Sequence, residues 1–211
     1  KIIKFSPGSL LEKSKKTKNK IIYFSSYSSL NHKYLFLASS KTPFELSMID
    51  NFVENLFSKY NNKYSKETNV LFYKPHPSDK FKDTIATKIR YVNFLENLTF
   101  KKSLQNCRLA IFGSLETPAL EALAAGVPTV VFITPNNFNT DIQKMILMMQ
   151  DCGIFFREPK EMINFIISEN NFEAWWNDDL RQKNVAIFLK EIFNQKKYAN
   201  FDEIIKYFSD T

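Results

Sequence analysis

The 211 residues comprise 44% hydrophobic and 24% charged side chains, the mix of a globular chain with length for one sizeable core or at most two domains. The formal net charge of +7 invites an anionic partner, but no aromatic–basic repeat or basic helix accompanies it, which argues against nucleic acid. No apolar run reaches about 18 residues, so no membrane span is expected, and nothing reads as a signal peptide.

Phe is abundant, at 21 residues, and Lys and Asn are frequent; a coding bias would produce the same excess, so charge alone assigns no partner. Cys107 and Cys152 lack metal-ligand spacing and a disulfide framework, and read as cytosolic thiols. The chain opens on Lys1, with an extended piece over Ile2–Ser6 and a turn at Pro7–Gly8. Residues 1–19 are therefore expected to lead in from an N-terminal domain that the sequence lacks, with Lys13–Lys20 a solvated loop. Residues 20–170 are expected to form the main domain, and 171–211 to supply helices packing on it or on its partner domain.

Lys20–Phe24 predicts a first strand, running into the hydroxyls Ser25, Ser26, Ser28 and Ser29. That loop is either a flexible connector or the polar rim of a ligand cleft. Thr42-Pro43-Phe44-Glu45 announces a helix, with Thr42 as cap, Pro43 at the first position and Glu45 three residues after the cap. Its apolar face is Phe44, Met48, Phe52 and Leu56 with Ile49 and Val53, and it ends near Tyr60–Asn62. Asn69–Tyr73 predicts a second strand that runs into Lys74-Pro75-His76-Pro77. Pro77 biases His76 toward extended backbone, where Lys74 and His76, two apart, share a face. The element is either a surface turn with an incidental histidine or a cation and an imidazole set together at a strand end.

Ile89–Val92 reads as a short strand and Thr99–Asn106 as a helical linker. Asn106–Pro135 then reads as strand, turn, helix, turn, strand. Arg108–Phe112 is a short apolar run bounded by Gly113. Leu115–Ala125 has helical spacing, with Leu115, Ala119, Ala122 and Leu123 on one side, and Gly126 closes it in the left-handed position. Thr129–Ile133 is a continuous apolar run, as suits a strand covered on both faces. Asn139–Asp151 predicts a helix closed by Gly153, with its methionines as core filler; Gly153–Phe156 predicts the last strand. Pro159–Glu169 reads as a helix, Phe172–Asn177 as a turn carrying Trp175 and Trp176, and Asp178 opens a long helix. Its stripe, Val185 to Phe193, with the two tryptophans, reads as apolar surface meant for another domain. The order implies an α/β fold: a Rossmann-like, three-layer α/β/α domain with one mostly parallel sheet.

The polar residues of the central unit gather where its strand ends and its helix begins: Gly113, Ser114, Glu116 and Thr117. A helix start attracts anions through unpaired N–H groups and partial positive charge, and the hydroxyls of Ser114 and Thr117 add donors. The plainer alternative is that Ser114 or Thr117 simply caps the helix. Pro118 suits its first turn. Glu121, one turn in, is within reach of a ligand lying over the turn.

Lys74-Pro75-His76-Pro77, followed by the run Gly113 to Leu123 and Gly126-Val127-Pro128-Thr129, resembles the C-terminal nucleotide-sugar domain of GT-B glycosyltransferases. The nearest likeness is to sugar transferases of bacterial surface-polysaccharide clusters of the leptospiral surface-antigen type; sialyl-, Kdo- and CDP-glycerol transferases share the His-Pro element and the Ser/Thr-bearing turn. The resemblance implies the donor-binding half of a transferase moving a sugar or related polyol to a surface-polysaccharide acceptor. It implies His76 as the catalytic residue, touching and protonating the donor phosphate, and Ser114 and Thr117 gripping that phosphate. Lys74, Ser25, Ser26 and Gly113 would complete the donor site, with Glu121 on the ribose. No metal and no cofactor are expected. A glycan or lipid-linked acceptor, a general base in the missing N-terminal domain, and a cytoplasmic location extending to the inner membrane face are implied as well. Glu116 is out of register with the retaining GT-B pattern, which favours the phosphate-gripping His-Pro type and leaves the stereochemical outcome open. The rival readings are a UDP-sugar 2-epimerase-like enzyme and a non-catalytic nucleotide- or anion-binding module.

Overall fold

The computed structural model describes residues 19–25, 43–64, 71–76, 92–133 and 140–194. These hold six strands, β1 (Lys20–Phe24), β2 (Leu71–Lys74), β3 (Asn93–Phe94), β4 (Cys107–Phe112), β5 (Thr129–Phe132) and β6 (Phe155–Phe156). The described helices are α1 (Pro43–Lys63), α2 (Phe100–Gln105), α3 (Thr117–Ala124), α4 (Thr140–Asp151), α5 (Pro159–Ser168), α6 (Phe172–Trp176) and α7 (Asp179–Asn194). The strands form one sheet in the order β3-β2-β1-β4-β5-β6, and every neighbouring pair is parallel.

The apolar runs are continuous because both faces of the sheet are covered. Alternate residues of a strand point to opposite faces. Ile22, Phe24, Ala110, Phe112 and Val131 enter one core, with Leu104 of α2, Ala119, Ala122 and Leu123 of α3, Ile146 and Met149 of α4, and Val185, Phe188 and Leu189 of α7. Ile21, Tyr23, Leu109, Ile111, Val130 and Phe132 enter the other, with Phe52, Leu56 and Phe57 of α1 and Met162, Ile163 and Ile166 of α5. The fold is thus the expected three-layer α/β/α arrangement. Gly126 (φ 68°) and Gly153 (φ 71°) end their helices in the left-handed region, where glycine carries no Cβ penalty.

Four expectations are corrected. The central helix begins at Thr117, not Leu115: Glu116 is the extended N-cap residue (φ −128°, ψ 175°), and Leu115 packs on the first core from outside the helix. The third strand is Asn93–Phe94, with Val92 just before it. Phe172–Trp176 is a helix rather than a turn, because the Asn171 side chain accepts from the Ala174 N–H at 3.0 Å and starts it. The stripe on α7 does not await another domain: Val185, Phe188 and Leu189 are buried in this chain's own core, as is Trp176. Arg181 ties that packing down, donating from Nε to Cys152 O at 2.8 Å and from Nη1 to Trp175 O, with its guanidinium 4.6 Å from the Trp175 ring centroid. Residues 1–18, Thr42, the Phe44 side chain, Ser26 and its loop, residues 69–70, Pro77, residues 89–91, the Phe193 side chain and residues 195–211 lie outside the described residues.

Candidate functional site

The chain runs from β1 outward to β2 and β3, then returns past β1 to β4 and continues outward to β5 and β6. Between β1 and β4 the direction of winding reverses, and such a switch point opens a crevice at the carboxyl ends of the strands. The register sets those ends level, because Phe24 pairs with Lys74 on one side and with Phe112 on the other. The Ser25 N–H donates to Lys74 O at 2.9 Å, extending the ladder one residue past β1. Ser25, Lys74, His76, Gly113 and Ser114 therefore meet at one edge. Lys74 and His76 sit on one side of β1 and Gly113 and Ser114 on the other, two strand spacings or about 10 Å apart.

The turn from Gly113 to Thr117 is built differently from a plain helix cap. Neither Ser114 nor Thr117 caps α3. The carbonyl of Glu116 accepts from the N–H groups of Ala119 (2.9 Å) and Leu120 (3.1 Å), and the Glu116 side chain makes no cap bond. The buried Ser114 hydroxyl donates instead to Glu116 Oε1 at 2.9 Å. A carboxylate is thus held beside the positive end of a helix, where charge favours it. Thr117 is exposed at the start of the helix, and Glu121 lies one turn on. Burial pushes the Glu121 carboxyl above its ordinary range.

Gly113 is fixed by contact. A Cβ there would stand 2.7 Å from Tyr23 Oη and 3.1 Å from Ile49 Cγ2. Tyr23 cannot swing aside, since it is buried beside the rings of Phe52 and Tyr73. Gly113→Ala is therefore expected to cost about 1–3 kcal/mol of overpacking, read by urea unfolding. Tyr23→Phe in the same chain frees the space of the hydroxyl and should recover much of that loss, a coupling expected of touching residues. A Gly113→Ala chain as stable as the parent would refute this contact.

Three residues at this edge carry no local sequence signal. Glu96 follows β3, where the Leu95 N–H donates to Tyr73 O at 2.9 Å, and its charge acts on Lys74. Burial pushes the Lys74 ammonium below its ordinary value, and the attraction of Glu96 partly opposes this. Tyr23 underlies the Gly113 turn. Arg157 follows β6 at the same edge, and its buried Nε finds no hydrogen-bond partner among the described residues. No sequence spacing links any of these to the site, because each arrives through strand pairing. Among the described residues no cluster of three or more His, Cys, Asp or Glu could hold a metal ion, and no helix is long and apolar enough to cross a membrane.

No match to a curated protein sequence is found. Among solved structures the chain is similar to a mutant of S. aureus TarM in complex with Fondaparinux, alpha-GlcNAc-glycerol and UDP, at 16% identity and a TM-score of 0.45, covering 95% of this chain and 36% of that one. It is also similar to the C-terminal CMP-Kdo binding domain of WaaA from Acinetobacter baumannii, at 13% identity and a TM-score of 0.43, covering 84% of this chain and 91% of that one. The chain thus spans about a third of the TarM chain and nearly all of the WaaA domain. The sequence profile of the LIC12162 family transferases matches residues 1–202, and the protein belongs to that family.

Proposed function

We propose that this chain is the donor-binding half of a GT-B glycosyltransferase, moving a sugar from a nucleotide-activated donor to a glycan or lipid-linked acceptor of a bacterial surface polysaccharide. The observation that carries the reading is the convergence of Ser25, Lys74, His76 and the Ser114 turn on one strand edge at the sheet's switch point. Membership of a transferase family supports it.

Breaking the bond between sugar and phosphate leaves an electron pair on the phosphate oxygen. In this reading His76 gives that oxygen a proton, while Lys74 and the N-terminus of α3 offset the charge on the remaining oxygens. Ser114 turns its hydroxyl from Glu116 to the phosphate, and Glu121 accepts from the ribose. The acceptor hydroxyl forms the new bond to the sugar, and its proton passes to a base in an N-terminal domain. Two unbridged cysteines fit the cytoplasm, where activated sugars are made, and the acceptor brings the enzyme to the inner membrane face.

Mass spectrometry of donor consumption tests this. With UDP-, GDP- or CMP-sugar and a membrane acceptor fraction, the full-length enzyme should release nucleotide and extend the acceptor, whereas residues 1–211 alone should bind nucleotide without transferring. Transfer by residues 1–211 alone would contradict the division of labour. Conversion of a UDP-sugar to its epimer without any acceptor would contradict the transferase reading itself.

A further inference from the structure

We propose that Arg157 holds a substrate-borne oxyanion, a carboxylate or a phosphate, at the β6 end of the same strand edge. The nature of the substrate rests on the donor-binding reading above; the anion site itself does not.

Arg157 directly follows β6, and all six strands run the same way, so it stands on the edge that carries Ser25, Lys74, His76 and Ser114. The Ile133 N–H donates to Phe156 O at 2.7 Å, which keeps the ends of β5 and β6 joined up to Arg157. Its Nε is buried without a hydrogen-bond partner among the described residues, and no ion pair joins it to a carboxylate there, the adjacent Glu158 included. Residues 134–139, which follow β5, contain no Asp or Glu.

A guanidinium keeps its charge at every working pH. Burying one of its N–H groups unpaired costs free energy that a partner would return. Nε and one Nη form the edge that grips a carboxylate or phosphate through two parallel hydrogen bonds. That edge has no partner among the described residues and sits two strand spacings, about 10 Å, beyond β4. Lys74 and His76 lie on the far side of β1, about 19 Å from β6 by the same spacing. The Ser114 turn lies between the two cationic ends. A donor laid along this edge with its nucleotide phosphate near His76 brings the transferred group toward Arg157, which fits a transferred group that is itself acidic.

Calorimetric titration of the whole chain and of Arg157→Gln and Arg157→Lys with inorganic pyrophosphate, UDP-glucose and UDP-glucuronate tests the site. The parent should bind pyrophosphate, and Arg157→Gln should bind it about ten- to a hundredfold more weakly at an unchanged melting temperature. Arg157→Lys should restore only part, since an ammonium cannot form the paired bonds. A loss confined to UDP-glucuronate relative to UDP-glucose assigns the anion to the sugar, and an equal loss for both assigns it to the nucleotide phosphates. Equal affinity of parent and Arg157→Gln for pyrophosphate, UDP-glucose and UDP-glucuronate alike, including no binding of any of them, overturns the proposal. Loss of pyrophosphate binding in Arg157→Gln, with neither sugar nucleotide binding to any of the proteins, upholds the anion site and overturns the donor-binding reading instead.

Discussion

Replacing Phe188 with alanine is expected to destabilise the chain by about 3–5 kcal/mol, the range for deleting a fully buried ring. Phe188 is fully buried, and its ring stands edge-on to Phe155 with centroids 5.3 Å apart and planes at 87°. Its neighbours Val185 and Leu189 fill the same core as Ala122, Leu123, Ile146 and Met149, so little can collapse into the space left behind. A total stability of about 5–15 kcal/mol is usual for a domain, so this loss would leave a substantial unfolded population. Ile187, one residue earlier and 39% exposed, serves as the control; Ile187→Ala should stay within about 0.5 kcal/mol. Urea unfolding of both variants measures the difference. A near-neutral Phe188→Ala would mean that α7 is not part of this core and that its stripe serves another partner.

That stripe shows what periodicity can and cannot tell. The 3–4 spacing of Val185, Phe188, Leu189 and Ile192 marks a helix with one apolar face. Spacing says nothing about what covers the face, and here it is α3, α4 and the sheet. The sheet itself was legible, because the runs in β1, β4 and β5 are continuous and too short for helices. The central helix was legible in kind but not in its first residue. Leu115 has the helical spacing, yet Glu116 takes an extended conformation ahead of Thr117 and Pro118, so the turn lasts longer than the apolar pattern suggests.

The shared edge of these strand ends was legible for the same reason as the sheet. Lys74-Pro75-His76 and Gly113-Ser114 each follow a short apolar run, and parallel strands bring such ends together. What the local sequence lacks is the set of contacts made across strands. Tyr23 meets the Gly113 turn from β1, Glu96 reaches Lys74 from the end of β3, and Arg157 arrives at the end of β6. The Ser114–Glu116 hydrogen bond spans only two residues, but it depends on Glu116 being extended rather than helical, and no propensity signals that.

The account stands or falls on His76. It is part-buried, two residues past Lys74 at the end of β2, beside the switch point and opposite the Ser114 turn. A side chain that delivers a proton to a leaving phosphate contributes about a hundredfold or more to turnover, and His76→Ala in the full-length enzyme should lose that amount. His76→Asn should keep more donor affinity than turnover, since an amide still donates a hydrogen bond but releases no proton. Ser114→Ala should weaken donor binding by about 1 kcal/mol, the net worth of one neutral hydrogen bond. Steady-state kinetics of the full-length enzyme and His76→Ala, with thermal melts run alongside, is the most direct measurement. A fall in turnover of about a hundredfold or more at an unchanged melting temperature is the result expected; a folded His76→Ala enzyme with near-parental turnover would make His76 a turn residue and end the catalytic reading of this edge.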